Sequence, residues 1–154
     1  MQMSDDILTT NSSYDLVIGG MTLVETSVND LLNVSLIGDT RARSMIIKHS
    51  SIRLKVNLLH GVGLISETMY YDLDTMAEIR NRWAHDNPTP RFRHDRIKAM
   101  AQRLSTFCDA GQDGTQAFRL AIRQSTAYLD QRRQQVEKVK NQGQIVRQNQ
   151  ANLI

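Results

Sequence analysis

Apolar side chains recur at steps of three and four residues along most of the chain, which is the spacing of amphipathic helices. The clearest run lies between positions 14 and 37. Its apolar residues follow steps of 4, 3, 4 and 3, which predicts a helix packed along its whole length; they are Val17, Met21, Val24, Val28 and Leu31. The two prolines, Pro88 and Pro90, are confined to one short stretch. The pattern therefore predicts an all-α chain.

Glycines, prolines and capping residues divide the remainder into further helices. A short segment around position 46 precedes a very apolar helix that ends at Gly61–Gly63; its apolar residues are Ile52, Leu54, Val56, Leu58 and Leu59. Ser66 is the predicted N-cap of the next helix, which Pro88 ends near position 86. A fifth helix is predicted from about Ile97 through Phe107, and a last long one from about position 115.

Composition indicates one soluble domain. The chain has 154 residues, of which 40% are hydrophobic, and a single cysteine, Cys108, whose place on an apolar stripe favours a core thiol. The longest stretch without charged residues is eleven residues, Val56 to Ser66, too short for a membrane span of roughly 20 residues. The acidic N-terminus does not resemble a secretory signal, so a cytoplasmic location is expected. We predict a domain over residues 1–140 and a polar tail or frayed helix end over 141–154, which is rich in glutamine.

Charge is distributed unevenly along the chain. Residues 1–40 contain six acids and no lysine or arginine, whereas residues 41–154 contain 19 bases and 10 acids. Bases are densest between positions 80 and 103, where Asp86 and Asp95 are the only acids; they are Arg80, Arg82, Arg91, Arg93, Arg96, Lys98 and Arg103. This cluster is a candidate polyanion site. Alternatively, the acidic N-terminal helix packs beside it and cancels its charge.

The helix before the prolines carries the candidate chemistry. A rotation of about 100° per residue places Arg80 in the middle of an apolar face; the other residues of that face are Met69, Leu73, Met76, Trp83 and Ala84. The opposite side is predicted to carry a polar line of Asp74, Glu78, Asn81 and His85. Because an unpaired buried charge is very costly, Arg80 is expected to have a carboxylate, carbonyl or phosphate partner.

The segment from Arg80 to His85 reads Arg-Asn-Arg-Trp-Ala-His and resembles the R-N-x-x-x-H signature of HEPN-domain ribonucleases. The block Leu58 to Ile65 and the acidic helix after it are similar to the mannitol-operon repressor family, whose helical bundle is of HEPN type. The resemblance implies a HEPN-like up-and-down bundle of about five to six helices that forms a homodimer. It also implies RNA cleavage without metal or other cofactor, in a cleft shared by two subunits.

Under this interpretation Arg80, Asn81 and His85 are the catalytic residues. An imidazole can transfer the proton of a ribose 2′-hydroxyl, a guanidinium can stabilise charge on the phosphate, and Asn81 can orient either group. Phosphate contacts are assigned to Arg82, Arg91, Arg93 and Arg96. On a straight helix Arg80 and His85 lie about 140° and about 7.5 Å apart, so a working site requires unwound backbone or a second subunit.

Two other interpretations remain open. In the first, Arg80 pairs with a carboxylate and His85 caps the helix, and the chain is a non-enzymatic transcriptional regulator or adaptor that acts through a protein partner, an antidote protein included. In the second, the site binds a polyanion such as RNA without cutting it. Direct DNA binding by a helix-turn-helix is disfavoured because the would-be recognition helix is acidic; its acids are Glu67, Asp72, Asp74 and Glu78.

Overall fold

The structure is a computed structural model that describes residues 2–36, 40–85, 92 and 94–151, with side chains over 6–36, 40–85, 92 and 94–143. These residues form helices and turns and contain no strand, which confirms the predicted all-α class. The helices are α1 (Gln2–Thr9), α2 (Ser13–Ser35), α3 (Thr40–His49), α4 (Ile52–Gly61), α5 (Glu67–His85), α6 (Asp95–Ala101) and α7 (Gly114–Ala151). No helix in this part of the chain is long and apolar enough to cross a membrane.

Helix α2 is the central element of the bundle. It packs most extensively along α7 and also contacts α4 and α5. All five residues of its predicted seam are buried, from Val17 to Leu31. They face a core to which α7 contributes Phe118, Ile122 and Leu129. The spacing of apolar residues in α2 therefore predicted its buried face correctly.

Close approach of α2 and α7 depends on a glycine. A Cβ atom added to Gly20 would lie 2.2 Å from Cδ1 and 3.2 Å from Cγ1 of Ile122. Replacement of Gly20 by valine is therefore expected to overpack this contact and lower the free energy of unfolding by about 1–3 kcal/mol. Gly143 of α7, which has open space around it, is the control. Gly143→Ala is expected to raise stability by up to about 1 kcal/mol, measured by urea unfolding. Equal changes in both variants would contradict this packing.

The segment between α6 and α7 differs from the prediction. Helix α6 ends at Ala101, and turns follow through residue 112, where Gly111 and Gln112 have positive φ angles of 62° and 63°. Because the helical period stops at Ala101, Cys108 is exposed and is not the predicted core thiol. Helix α7 has 38 residues and crosses position 140 without a break.

The apolar sequence of α4 does not form a continuous buried face. Val56 and Leu59 are buried, whereas Leu54 is 56% exposed because it lies on the opposite side of the helix. The side of α4 that carries Val56 and Leu59 also buries a charged residue. Lys55 is 2% exposed, and its Nζ lies 3.0 Å from Oε1 of Glu25 on α2. Burial in α4 thus follows angular position rather than hydrophobicity alone.

Candidate functional site

Helix α5 begins at the predicted cap. The Oγ of Ser66 accepts a hydrogen bond from the backbone N–H of Met69 at 3.3 Å, and Glu67 lies in the first turn, where the helix dipole favours a carboxylate. The side facing the bundle buries Leu73, Met76 and Trp83. The described part of the helix runs to His85, and the predicted end near position 86 lies outside the described residues.

Arg80 does not lie in the core as predicted. Its side chain is exposed, and its guanidinium donates to Oδ1 of Asn81 at 3.3 Å. The angular prediction fails because a residue's position on one helix does not show whether a neighbouring helix covers it, and Arg80 is left exposed. Arg53 in the first turn of α4 reaches Asp74, and Arg80 lies six residues, or about 9 Å, farther along α5. Ala84 is exposed as well. Solvent therefore replaces the buried partner that Arg80 was expected to need.

The other predicted catalytic and phosphate-binding residues are spread over this end of the bundle. His85 is exposed in the last turn of α5, and its side chain makes no hydrogen bond to the described residues. Asn81 and Arg82 are half-buried, and Arg96 is exposed in the first turn of α6. Arg91 and Arg93 lie outside the described residues. The structure joins Arg80 to Asn81 by a hydrogen bond and shows none between the side chains of Arg80 and His85 within one chain.

The predicted polar line on α5 is confirmed, and its carboxylates have partners. Asp74 accepts two hydrogen bonds from Arg53, from Nε at 2.6 Å and from Nη2 at 2.9 Å. These bonds raise the pKa of the Arg53 guanidinium above its ordinary value. Glu78 accepts a hydrogen bond of 2.5 Å from Arg103, in the turn after α6. The carboxylates of this line therefore tie α5 to the segments on either side of it.

Exposed and half-buried apolar and aromatic side chains lie on the two helices of the α4–α5 hairpin; we group Leu54, His60, Tyr70 and Tyr71 as the α4–α5 face. Leu54 is 56% exposed and Tyr71 is 57% exposed. The ring of His60 stacks on Tyr70 with centroids 4.6 Å apart, and Tyr70 packs edge-on against Tyr71 at 5.3 Å. Tyr71 is thus held by a neighbouring ring while much of its own surface remains in solvent. Tyrosine in such a position is typical of protein interfaces.

Sequence reasoning missed this face, although two signals were present. Consecutive residues of a helix point about 100° apart, so Tyr70 and Tyr71 cannot both face the core. Leu54 lies on the side of α4 opposite Val56 and Leu59, by the same angular rule. An apolar residue on the outward side of a helix indicates an exposed apolar surface. The hydrophobicity of the whole helix does not show on which side such a residue lies.

The fold and this face together define a helical bundle that presents apolar side chains on one hairpin. A family model described as mannitol repressor, MtlR, matches residues 47–148, about two thirds of the chain. The chain therefore belongs to the MtlR family, which confirms the resemblance to mannitol repressors.

A solved structure has a similar fold. It is described as the X-ray structure of the MtlR-HPr complex from Escherichia coli, and its matching chain has 15% sequence identity and a TM-score of 0.62. The match covers 84% of this chain and 99% of the other. No curated protein matches the sequence. At this identity the likeness shows the fold alone, and neither comparison bears on the HEPN motif, which stays a prediction.

Proposed function

We propose that this chain is a non-catalytic regulator of the MtlR family that acts by binding a folded protein partner of the HPr type through the α4–α5 face. The observation that carries the proposal is the exposure of Leu54 and Tyr71 on adjacent helices of the family-matched region. The alternative function inferred from the sequence, an adaptor that works through a protein partner, is thus the one that the family supports better.

The chemistry of the α4–α5 face suits a protein rather than a small substrate. Its two most exposed side chains offer apolar surface that a partner can cover, and the Arg53–Asp74 ion pair beside it offers a polar rim. Interfaces commonly combine an aromatic or aliphatic centre with such a rim, and few residues carry most of the binding energy. The match to a chain from a complex with HPr supplies the candidate partner.

Calorimetric titration of the full chain with HPr tests the proposal. HPr from Escherichia coli, and HPr from the organism that encodes this chain, are each added to the purified protein. Saturable binding with one HPr per chain is expected, accompanied by the negative heat-capacity change of apolar burial. Absence of heat and of a sedimentation shift with both HPr proteins would refute it.

RNA cleavage is the second candidate function. It is favoured by the solvent access of Arg80 and His85 and by the lack of a carboxylate partner for Arg80 among the described residues. It requires a second subunit, because one straight helix separates the two side chains by about 140°. The test is incubation with labelled RNA in EDTA. Products that end in a 2′,3′-cyclic phosphate and that are absent with His85→Ala would establish the nuclease. RNA that stays intact would exclude it and favour regulation through a protein partner.

A further inference from the structure

A second apolar surface lies between the end of α2, the α4–α5 turn and α7. It is a groove with a volume of about 360 Å³, lined by Leu32, Ser35, Leu36, Leu58, Val62, Leu64 and Val136. The volume is at the lower end of the roughly 300–1,000 Å³ of ligand pockets. The lining carries no charge. The groove is therefore suited to apolar side chains rather than to a polar metabolite.

Apolar surface continues beyond the groove on both sides. Val62 in the α4–α5 turn is 60% exposed, and Val139, one turn along α7 from Val136, is 69% exposed. The Oγ of Ser35, in the groove, is buried without a hydrogen-bond partner among the described residues. An unsatisfied buried hydroxyl is costly, and a docked segment with a polar group at this position would remove that cost.

Basic residues surround this groove along α7. From Asp130 to Gly143 the helix carries four bases, Arg132, Arg133, Lys138 and Lys140, and two acids, Asp130 and Glu137, both of which pair with Arg133. Arg132 donates to the carbonyl of Leu64 at 2.8 Å, and Lys140 donates to the carbonyl of Val34. These bonds hold two cations at the two sides of the groove without neutralising them. A second copy of the chain would place its own basic helix against this one, which Coulomb repulsion disfavours.

We infer that this groove binds an acidic amphipathic helix of a second partner protein. The apolar side of such a helix would fill the space between Val62 and Val136, and its carboxylates would meet the cations of α7. This is the helix-in-groove mode of recognition, in which apolar anchors recur at every third or fourth position. The inference goes beyond the proposed HPr binding, since the groove and the α4–α5 face share no residue.

The probe is a fluorescein-labelled peptide of about 18 residues, long enough to form a helix, with leucine along one side and glutamate on the other. Fluorescence anisotropy with the full chain is expected to show saturable binding. A matched peptide with lysine in place of glutamate is expected to bind at least about tenfold more weakly. Val62→Glu and Val139→Glu should each weaken the acidic peptide about tenfold or more. Both side chains are exposed, so the variants should keep the unfolding temperature of the original chain.

Met45→Glu is the matched control, because Met45 is 56% exposed on α3 and the substitution adds the same charge away from the groove. It should leave peptide binding unchanged, and Val139→Glu, on α7 away from the hairpin, should leave HPr binding unchanged, which separates this inference from the proposed function. Equal affinity for the acidic and basic peptides, equal loss in Met45→Glu, or no binding of either peptide would overturn it. Dimerisation of the chain that Val62→Glu abolishes would also overturn it, in favour of a second copy.

Discussion

Replacement of Asp72 by alanine is expected to lower the free energy of unfolding by about 2–4 kcal/mol. Asp72 is 5% exposed on α5, and its carboxylate accepts from the backbone N–H of Ser105 at 2.8 Å and from the Ser105 hydroxyl at 2.5 Å. Alanine would remove the buried carboxylate that both donors of Ser105 use, although Ser105 itself is exposed. The turn after α6 would then lose its buried attachment to α5, as measured by urea unfolding at 25 °C.

Glu78→Ala is the matched control for Asp72→Ala. Glu78 lies on the same helix and also contacts the segment after α6, through Arg103, but both side chains of this pair are solvent-accessible. Exposed ion pairs contribute little, so the expected loss is below about 1 kcal/mol. Asp72→Asn should fall between the two, because an amide keeps one acceptor for Ser105. Equal destabilisation by Asp72→Ala and Glu78→Ala would show that burial does not set the strength of this contact.

Replacement of Tyr71 by alanine is expected to weaken HPr binding about 30-fold, equivalent to about 2 kcal/mol, the lower limit for an interface hot spot. The reason is that Tyr71 is braced by Tyr70, so it would bury its ring in the complex with little loss of side-chain entropy. Because Tyr71 is already 57% exposed in the free chain, removal of its ring should cost little stability. Calorimetric titration with HPr measures the affinity, and thermal unfolding confirms the fold.

Tyr14→Ala provides the control for Tyr71→Ala. Tyr14 is 55% exposed, almost the same as Tyr71, but lies on α2 outside the family-matched residues. The change removes an equal amount of aromatic surface from another part of the molecule, so HPr affinity should stay within about twofold of the original value. A comparable loss in Tyr14→Ala, or no loss in Tyr71→Ala, would exclude the α4–α5 face as the HPr-binding surface.

Much of the fold follows from local spacing. Apolar periodicity located α2 and its buried seam, Ser66 located the start of α5, and the glycines at positions 61 and 63 located the turn before it. Helix α6 was predicted too long. The apolar residues after Ala101 keep the spacing of a helix, but they lie in consecutive turns. Its true end depends on the Ser105–Asp72 contact across 33 residues, which no local pattern reveals.

The candidate site was harder to predict than the fold. The angular position of Arg80 on α5 is that of a core residue, yet its exposure depends on whether a neighbouring helix covers it. That is a property of two helices and not of one. The α4–α5 face depends in the same way on which sides of two helices remain uncovered. Sequence periodicity specifies the sides of each helix, whereas tertiary packing decides which of them water reaches.

Hydrogen–deuterium exchange of the full chain with and without HPr tests most directly whether a partner docks on the α4–α5 face. We expect added protection in peptides covering Ile52–Gly61 and the first turns of α5 through Tyr71, and unchanged exchange at Arg80–His85 and on α3. Protection confined to the end of α5, or no change anywhere in the presence of saturating HPr, would contradict the account.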